Sequence, residues 1–537
     1  MKERDLVLRK LAVFVPLAAA VIGTTLTHAG AAWAQGPEAG APAAGPSGAP
    51  AAAADAASPP PSDEAAPAAA PPDTSGSASA TTDASVSSGS GLFESSQTSA
   101  DSGESESESG GGLPFDFNGY VRADAFVGKT VGQKSAEMKA AYGELSIKIQ
   151  TKKLKYGDAF AEARLRYGLQ QGSRIQLVDL REAYVNMYAG PFDLRLGQQV
   201  IVWGRADAIN PTNNLTPSDL RVHSPNEDDR RVGNFAARAY LNFQPVRIEG
   251  VWVPLYTPSE LPFTLPTGAA LVQPRFPDFN IKNGTEAARV HLELPAFEAS
   301  VSYLYGYAPL PGFEYAGNFE TGANYHVDVR RVAYNHQVIG ADFATTLVDW
   351  LGVRGEAALR QPFHYKSRNY VPKPDLMYVL GIDHTFDTVS VIAQYVGKYT
   401  FEWEKPPPPG LYGIDYLQSA GALNPALPKD QKAVSDAVYS AIYPRNQQIF
   451  GQETQVQHMA SLRVEWLALH QTLSMSALGL VNFSTGEWVA FPKVGYHITD
   501  ALVATVGAEL YEGPHDTLFG SISGMLSAGY AELKFSY

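Results

Sequence analysis

From residue 113 onward the chain alternates apolar and polar residues with a period of two, and no stretch there offers 18 consecutive apolar residues. Phe115, Phe117, Gly119, Val121, Ala123, Ala125 and Val127 fall on one face of an extended segment; Asp116, Asn118, Arg122 and Asp124 fall on the other. A period of two is the signature of a strand with two unlike faces, and the missing apolar run excludes a membrane-spanning helix. The pattern recurs: Leu145, Ile147 and Ile149 oppose Glu144, Ser146 and Lys148, and Ala159, Ala161, Ala163 and Leu165 oppose Asp158, Glu162, Arg164 and Arg166. Val353, Gly355, Ala357 and Leu359 oppose Arg354 and Glu356, while Leu462, Val464 and Trp466 oppose Arg463 and Glu465. We count eighteen such segments, many of 9 to 13 residues, the length of tilted strands crossing a bilayer in about 9–11 residues.

The connections follow a second rule. Residues 128–139, 203–233, 254–285, 308–331, 361–375, 400–454 and 512–524 are long, whereas Gly190 with Pro191, Gln244 with Pro245, Pro295 with Ala296, Asp387, and Thr499 with Asp500 mark tight turns. Membrane barrels pair short periplasmic turns with long outer loops in this way. The short connection near Thr485 and Gly486 fits least well. The expected fold is an all-β transmembrane antiparallel barrel of about eighteen strands, or sixteen if one hairpin is misread. A soluble sandwich or propeller is the competing fold, since its strands alternate too.

The region ahead of the strands is of two kinds. Lys2, Arg4, Arg9 and Lys10 precede an apolar stretch from Leu11 to Ile22, and Ala32, Trp33 and Ala34 close it in small-x-small order. Residues 1–34 read as a cleavable secretory signal peptide. Residues 35–112 are Ala, Pro, Ser and Gly with eleven acidic residues and no Lys or Arg, a composition that stays disordered because it cannot bury enough apolar surface. The formal net charge of −14 resides mostly in this segment, which leaves residues 113–537 only mildly acidic and excludes a basic nucleic-acid surface. With no cysteine, the chain has no lipidated N-terminal cysteine, disulfide or thiolate metal site.

The run LRLGQQVIVWGRADAINPTNNLTPSDL at 194–220 resembles a cassette in a family of porin-superfamily outer-membrane proteins, widespread in proteobacteria and mostly uncharacterised. VWVPLYTPSELP at 251–262, IGADFATTLVDWLGVRGEAAL at 339–359, YVLGIDHTF at 378–386 and the closing YAELKFSY agree with it, so the similarity runs over 113–537. It implies the barrel fold and the outer membrane, and it carries no solute. Where the family often has an acidic residue after the WG pair, this chain has Arg205. The last strand ends on Tyr537, an aromatic terminus that resembles the outer-membrane assembly signal, which more often ends in Phe.

Function would be written in the lumen. Basic and acidic candidates on the polar faces nearly balance, and the pore candidates are Arg122, Asp124, Arg164, Arg166, Arg354, Glu356, Arg463 and Glu465. A phosphate pore would show an excess of Arg and Lys and a cation pore an acidic ring, so weak ion selectivity or a neutral or amphipathic solute is expected. Cross-strand pairing that merely stiffens the wall is the plainer role for each. Between Trp203 and Val232 lie enough polar groups to fold into a lumen, with Trp203, Arg205 and Asp207 placed near its constriction. The 254–285 loop is apolar and suited to packing; Ala433, Val434, Ala437, Val438, Ala441 and Ile442 predict a short helix between Pro428 and Pro444. The acidic run Asn226 to Asp229 has the carboxylates to hold Ca²⁺ but lacks the ligand spacing of a known calcium loop. No G-x-S-x-G, H-E-x-x-H or Walker sequence occurs, so no catalytic residue, metal or cofactor is expected. The expected partners are outer-membrane lipid and a small solute, with a periplasmic or cell-wall contact through 35–112 and a homo-oligomer as further expectations. A surface adhesin or scaffold on the same barrel is the alternative function.

Overall fold

The structure is a computed structural model, and it describes residues 115–129, 135–152, 154–262, 269–321, 324–348, 350–406 and 442–537. The signal peptide, the acidic segment and residues 433–441 of the predicted helix lie outside the described residues, as do Phe263 and Leu265 of the apolar loop.

The alternating segments become strands. In chain order they are β1 (Phe115–Gly128), β2 (Glu137–Thr151), β3 (Gly157–Gln170), β4 (Ser173–Ala189), β5 (Phe192–Gln199), β6 (Asn234–Phe243), β7 (Val246–Val253) and β8 (Ala269–Leu271). There follow β9 (Thr285–Leu294), β10 (Phe297–Tyr307), β11 (Gly312–Thr321), β12 (Asn324–Val332), β13 (Asn335–Val348) and β14 (Leu351–Pro362). The last are β15 (Asp375–Phe386), β16 (Val389–Thr400), β17 (Val456–Ala468), β18 (Leu473–Asn482), β19 (Glu487–His497), β20 (Leu502–Glu512) and β21 (Ala528–Ser536). All but β8, β11 and β12 form one 18-stranded antiparallel sheet, closed where β1 pairs with β21. Closure leaves no unpaired edge. The final residue takes part in it: Gly119 and Tyr537 exchange backbone hydrogen bonds of 3.0 and 3.1 Å, and the Tyr537 hydroxyl donates to the Ser146 carbonyl at 3.1 Å.

Burial runs opposite to that of a water-soluble sheet protein. Val121, Leu165, Val178, Val301, Leu380, Leu462, Val506 and Leu533 are exposed on the outer face, while Arg122, Glu144, Arg166, Asp342, Glu356 and Arg463 are buried inside. In water such an outer face would forgo roughly 25 cal/mol for every Å² of apolar surface left uncovered; against lipid it forgoes nothing. This inversion separates a membrane barrel from the sandwich.

Antiparallel succession sends alternate connections to opposite rims. One rim carries the short turns at 190–191, 244–245, 295–296 and 387–388; from the other leave residues 200–233 and 363–374 and the long connections that follow β7, β10 and β16. The turn at 171–172 also leaves from the long-loop rim and was not singled out in the sequence. Several of the long connections hold regular structure of their own. β11 pairs with β12, and β8 adds to β12 in parallel, making a small sheet over the long-loop rim. Phe313 and Val329 of this sheet pack on Ile442 and Ile449 of a helix at 442–449, here α1. Of the residues that predicted a helix between Pro428 and Pro444, Ile442 alone is among those described, and it is helical. A second helix, α2 (Leu518–Leu526), is capped by the Thr517 side chain, which accepts from the Gly520 N–H. In the apolar loop, Tyr256 packs edge-on against Phe276 and Tyr307, while Phe279 stays exposed.

Candidate functional site

Residues 200–233 leave β5, turn into the barrel and reach opposite walls. The entry is set by side chains at the strand end. The Val200 N–H donates to Glu182 Oε1 at 2.9 Å, and Thr216 closes a loop on Ile201, accepting its N–H at 2.9 Å and donating to its carbonyl at 2.6 Å. Trp203 is enclosed between this entry and the wall, its indole N–H donating to Glu249 Oε1 at 3.1 Å. Glu249 is shared further, accepting from Arg238 at 2.6 Å and lying 3.1 Å from His291.

Gly204 follows in the left-handed region at φ +101°, and a Cβ there would collide with Asn210 Oδ1 and Glu356 Oε2. The tight bend lets one carboxylate collect several donors. Glu356, on β14, accepts the backbone N–H groups of Arg205 (2.9 Å), Ala206 (3.0 Å) and Thr212 (2.6 Å), and the Thr212 hydroxyl at 2.8 Å. Bonds from backbone N–H groups to an ionised acceptor are among the stronger protein hydrogen bonds. Arg205 then reaches Asp342 at 2.8 Å and Glu298 at 2.5 Å, and Arg354 donates to the Arg205 carbonyl at 3.2 Å while pairing with Asp383. Asp207 pairs with Arg463 at 2.8 Å, and the N–H groups of Asp207 and Ala208 both point at Gln394 Oε1. Glu465 lies 3.9 Å from Arg463, at the margin of this group.

The far arm of the loop docks on β1 to β4. Register explains the wall that receives it. Arg122 lies opposite Glu144, and Glu144 opposite Arg166, so the three charges form a row across β1, β2 and β3. Glu144 pairs with Arg122 at 2.7 Å and Arg166 at 2.5 Å, and Asp124 lies 3.3 Å from Arg122. Beside this row Arg164 pairs with Glu162 at 2.6 Å, and Asp229 of the loop adds a carboxylate shared by Arg122 and Arg164. Its two oxygens take Arg164 at 2.6 Å and Arg122 at 2.7 Å, with Ser224 donating at 2.5 Å. Burial alone would raise this carboxyl, but Arg122 and Arg164 outweigh it and hold it well below the usual range. Beside it, Arg230 pairs with Glu509 at 2.7 Å, and the buried His223 stacks on Phe126 at 5.2 Å. Asp228 pairs with Arg231, so the run read for calcium has two of its carboxylates facing arginines.

The structure therefore gathers the pore candidates into two groups joined by one loop. Trp203, Arg205, Asp207, Arg354, Glu356, Arg463 and Glu465 surround the near arm; Arg122, Asp124, Arg164 and Arg166 receive the far arm. Of these, Arg205, Arg354 and Glu465 retain partial exposure, and the others are buried. Sequence reasoning did not single out His223 or Gln394 for this site. Gln394 was findable on the polar face of its strand, where Val389, Val391 and Ala393 alternate with Ser390, Ile392 and Gln394. His223 offered no periodic signal.

Above the near arm is a cavity of about 340 Å³, lined by Asn210 and Pro211 of the loop, by strand ends from β13 to β19, by residues 308–310, and by the ends of α1 and α2.

Comparison with known proteins adds the following. The profile of a family described as proteins of unknown function (DUF1302) matches residues 73–231, which take in β1 to β5 and most of the inward loop and begin within the acidic segment. No curated protein matches the sequence. Among solved structures, the chain is similar to OccAB3 of Acinetobacter baumannii, with 12% identity over 79% of this chain and 98% of that one and a TM-score of 0.45. It is similar to OccK9 (OpdG) of Pseudomonas aeruginosa at 9% identity, 79% and 97% coverage and a TM-score of 0.46. The outer membrane channel DcaP of Acinetobacter baumannii shares 10% identity over 79% of this chain and 97% of its own, with a TM-score of 0.35. At these scores the fold rests on the strand pairing itself.

Proposed function

We propose that this chain is an outer-membrane channel for a small solute, with residues 200–233 folded inward to set its selectivity. The observation that carries this reading is the combination of an apolar outer face with a charged lumen, into which one loop is fastened at both arms by buried carboxylates. A loop that merely covered the surface would gain nothing from burying Asp229 between two arginines, because exposed ion pairs contribute about 0–1 kcal/mol. In this reading residues 1–34 are removed on export, 35–112 extend into the periplasm, and the long-loop rim faces outward. Arg205 and Arg354 line the passage; Glu356, Asp207 and Asp229 hold the loop. The residues suit passage and not catalysis.

Purified protein in a planar bilayer should give discrete conductance steps, and Arg205→Glu should shift the reversal potential toward cations. Absence of steps over a range of voltages would instead favour an adhesin or scaffold, and an unchanged reversal potential would remove Arg205 from the passage.

A further inference from the structure

The cavity above the inward loop treats charge unlike the wall below it. Three carboxylates and two cations line it: Asp375, Glu453 and Glu487 against Arg360 and Lys398. The cations are committed. Arg360 pairs with Asp375 at 2.7 Å, and Lys398 donates to the Phe450 and Gly451 carbonyls at 2.6 and 2.7 Å. Glu453 and Glu487 have no ion-pair partner among the described residues. Glu487 is held in place by Thr485 at 2.9 Å and by the Phe519 N–H at 2.8 Å. Glu453 accepts from Gln457 through one oxygen at 3.2 Å, and its other oxygen, enclosed, has no hydrogen-bond partner.

A second, independent group is left open on the same cavity. His336 is 4% exposed, and its Nε2 also lacks a partner. The Asn210 and Asn213 amide nitrogens, also on the lining, are buried donors without a partner, so the cavity presents open polar atoms of both kinds, with the unpaired carboxylates supplying its charge. The apolar part of the wall is formed by Tyr334, Met377, Phe450, Leu480 and Phe519, beside the amides of Asn210, Asn213 and Asn482. Its volume of about 340 Å³ lies at the small end of the range for sites that enclose a small molecule, roughly 300–1,000 Å³.

We propose that this cavity binds a small organic amine in its cationic form, with the ammonium group against Glu453 and Glu487 and an aromatic or alkyl body against the apolar wall. This names a solute class for the channel and rests on that reading for passage, though not for binding. Once Glu453 is ionised an anion would meet two carboxylates without an ion-pair partner, and a cation meets the uncompensated charge together with rings whose faces attract it. Glu453 supports the same choice: burial, and then the neighbouring Glu487, push its carboxyl up to about 8. A bound ammonium would draw its proton off. Glu487, Lys398, Arg360, Asp375 and His336 are the titratable and charged groups facing it from the packed strands.

The test is isothermal titration calorimetry on the full chain folded in detergent, with 2-phenylethylammonium and phenylacetate as probes of like size. The amine should bind about tenfold tighter than the acid or better, which is about 1.4 kcal/mol, and its affinity should rise from pH 6 to pH 8.5 with proton release. Glu453→Gln and Glu487→Gln should each weaken the amine several-fold, with retained folding checked by the barrel's resistance to unheated SDS. Equal or tighter binding of phenylacetate, or amine affinity unchanged in both variants, would overturn the proposal. Amine binding without conductance steps would leave the site standing and sink the channel; steps without amine binding would do the reverse.

Discussion

Residues 200–233 and residues 308–334 leave the same rim of the barrel, yet one goes in and the other stays over the mouth. The inward loop spends its charges on the wall: Asp229 on Arg122 and Arg164, Asp207 on Arg463, Arg230 on Glu509. The outer connection spends backbone hydrogen bonds on itself, as β11 and β12, and buries Phe313 and Val329 against α1. Its ion pairs are rim pairs, such as Arg275 with Glu314 at 3.0 Å, both partly exposed. A loop enters a charged lumen only if it brings the complementary charges, because each wall charge must keep a partner once water is displaced. A loop without them makes its own sheet.

If that contrast is right, the inward loop fails at its buried carboxylates first. Asp229→Ala removes the loop's carboxylate from Arg122 and Arg164, which keep only the wall partners Glu144 and Glu162, and breaking a buried pair costs about 3–5 kcal/mol. We expect a clear fall in thermal stability and a several-fold larger conductance; a conductance equal to that of the native protein would show that this arm does not hold the loop. Glu356→Ala should come next, at roughly 3 kcal/mol, since three backbone N–H groups and a hydroxyl lose one acceptor and each buried unpaired group costs about 1–3 kcal/mol. Faster protease cleavage within 204–212 in the reconstituted protein reads that release, and undiminished protection would argue against the clamp. Gly204→Ala should cost about 1–3 kcal/mol through its left-handed φ and the lack of space for a methyl group, and a wild-type melting curve would contradict it.

Acidity should act on the same loop more gently. Burial pushes Glu227 up to about 7, although Arg463 and Lys493 pull the other way. The docked loop therefore holds this proton more tightly than the free chain between the ordinary carboxylate range and about 7, so docking weakens as pH rises through 7. Asp229, held low, keeps its contribution throughout that window. Conductance rising from pH 6 to pH 8, with the slope removed in Glu227→Gln, is the expected record; a flat wild-type profile would count against it. Least of all, Glu314→Ala on the outer connection should change stability by about 0–1 kcal/mol, and a loss near that of Asp229→Ala would erase the contrast between the two regions.

Alternation carried much of the fold into view. Arg122 and Asp124 face inward and Val121 and Ala123 outward because a strand cannot do otherwise once one face meets lipid, and that assignment needs no tertiary information. The eighteen strands and the short turns at Gly190 and Asp387 follow from the same local rules. The extra strands β8, β11 and β12 escaped, because a short hairpin over the rim alternates just as a spanning strand does. The helical residues 442–449 run past Pro444, where the sequence placed a boundary, and helical spacing alone did not show that Phe313 and Val329 would pack on them.

The sequence by itself determined that this protein is a closed barrel with a polar interior, since residue period and the demand that every strand edge be paired leave few other solutions. Only the tertiary structure decided which charges meet. Asp229 and Arg122 stand more than a hundred residues apart, and no periodicity links them; their pairing exists because the inward course of residues 200–233 brings a loop carboxylate between Arg122 and Arg164 of the wall. It equally decided that Glu453 would be left with an open oxygen, since a charge is unpaired only by reference to everything folded around it.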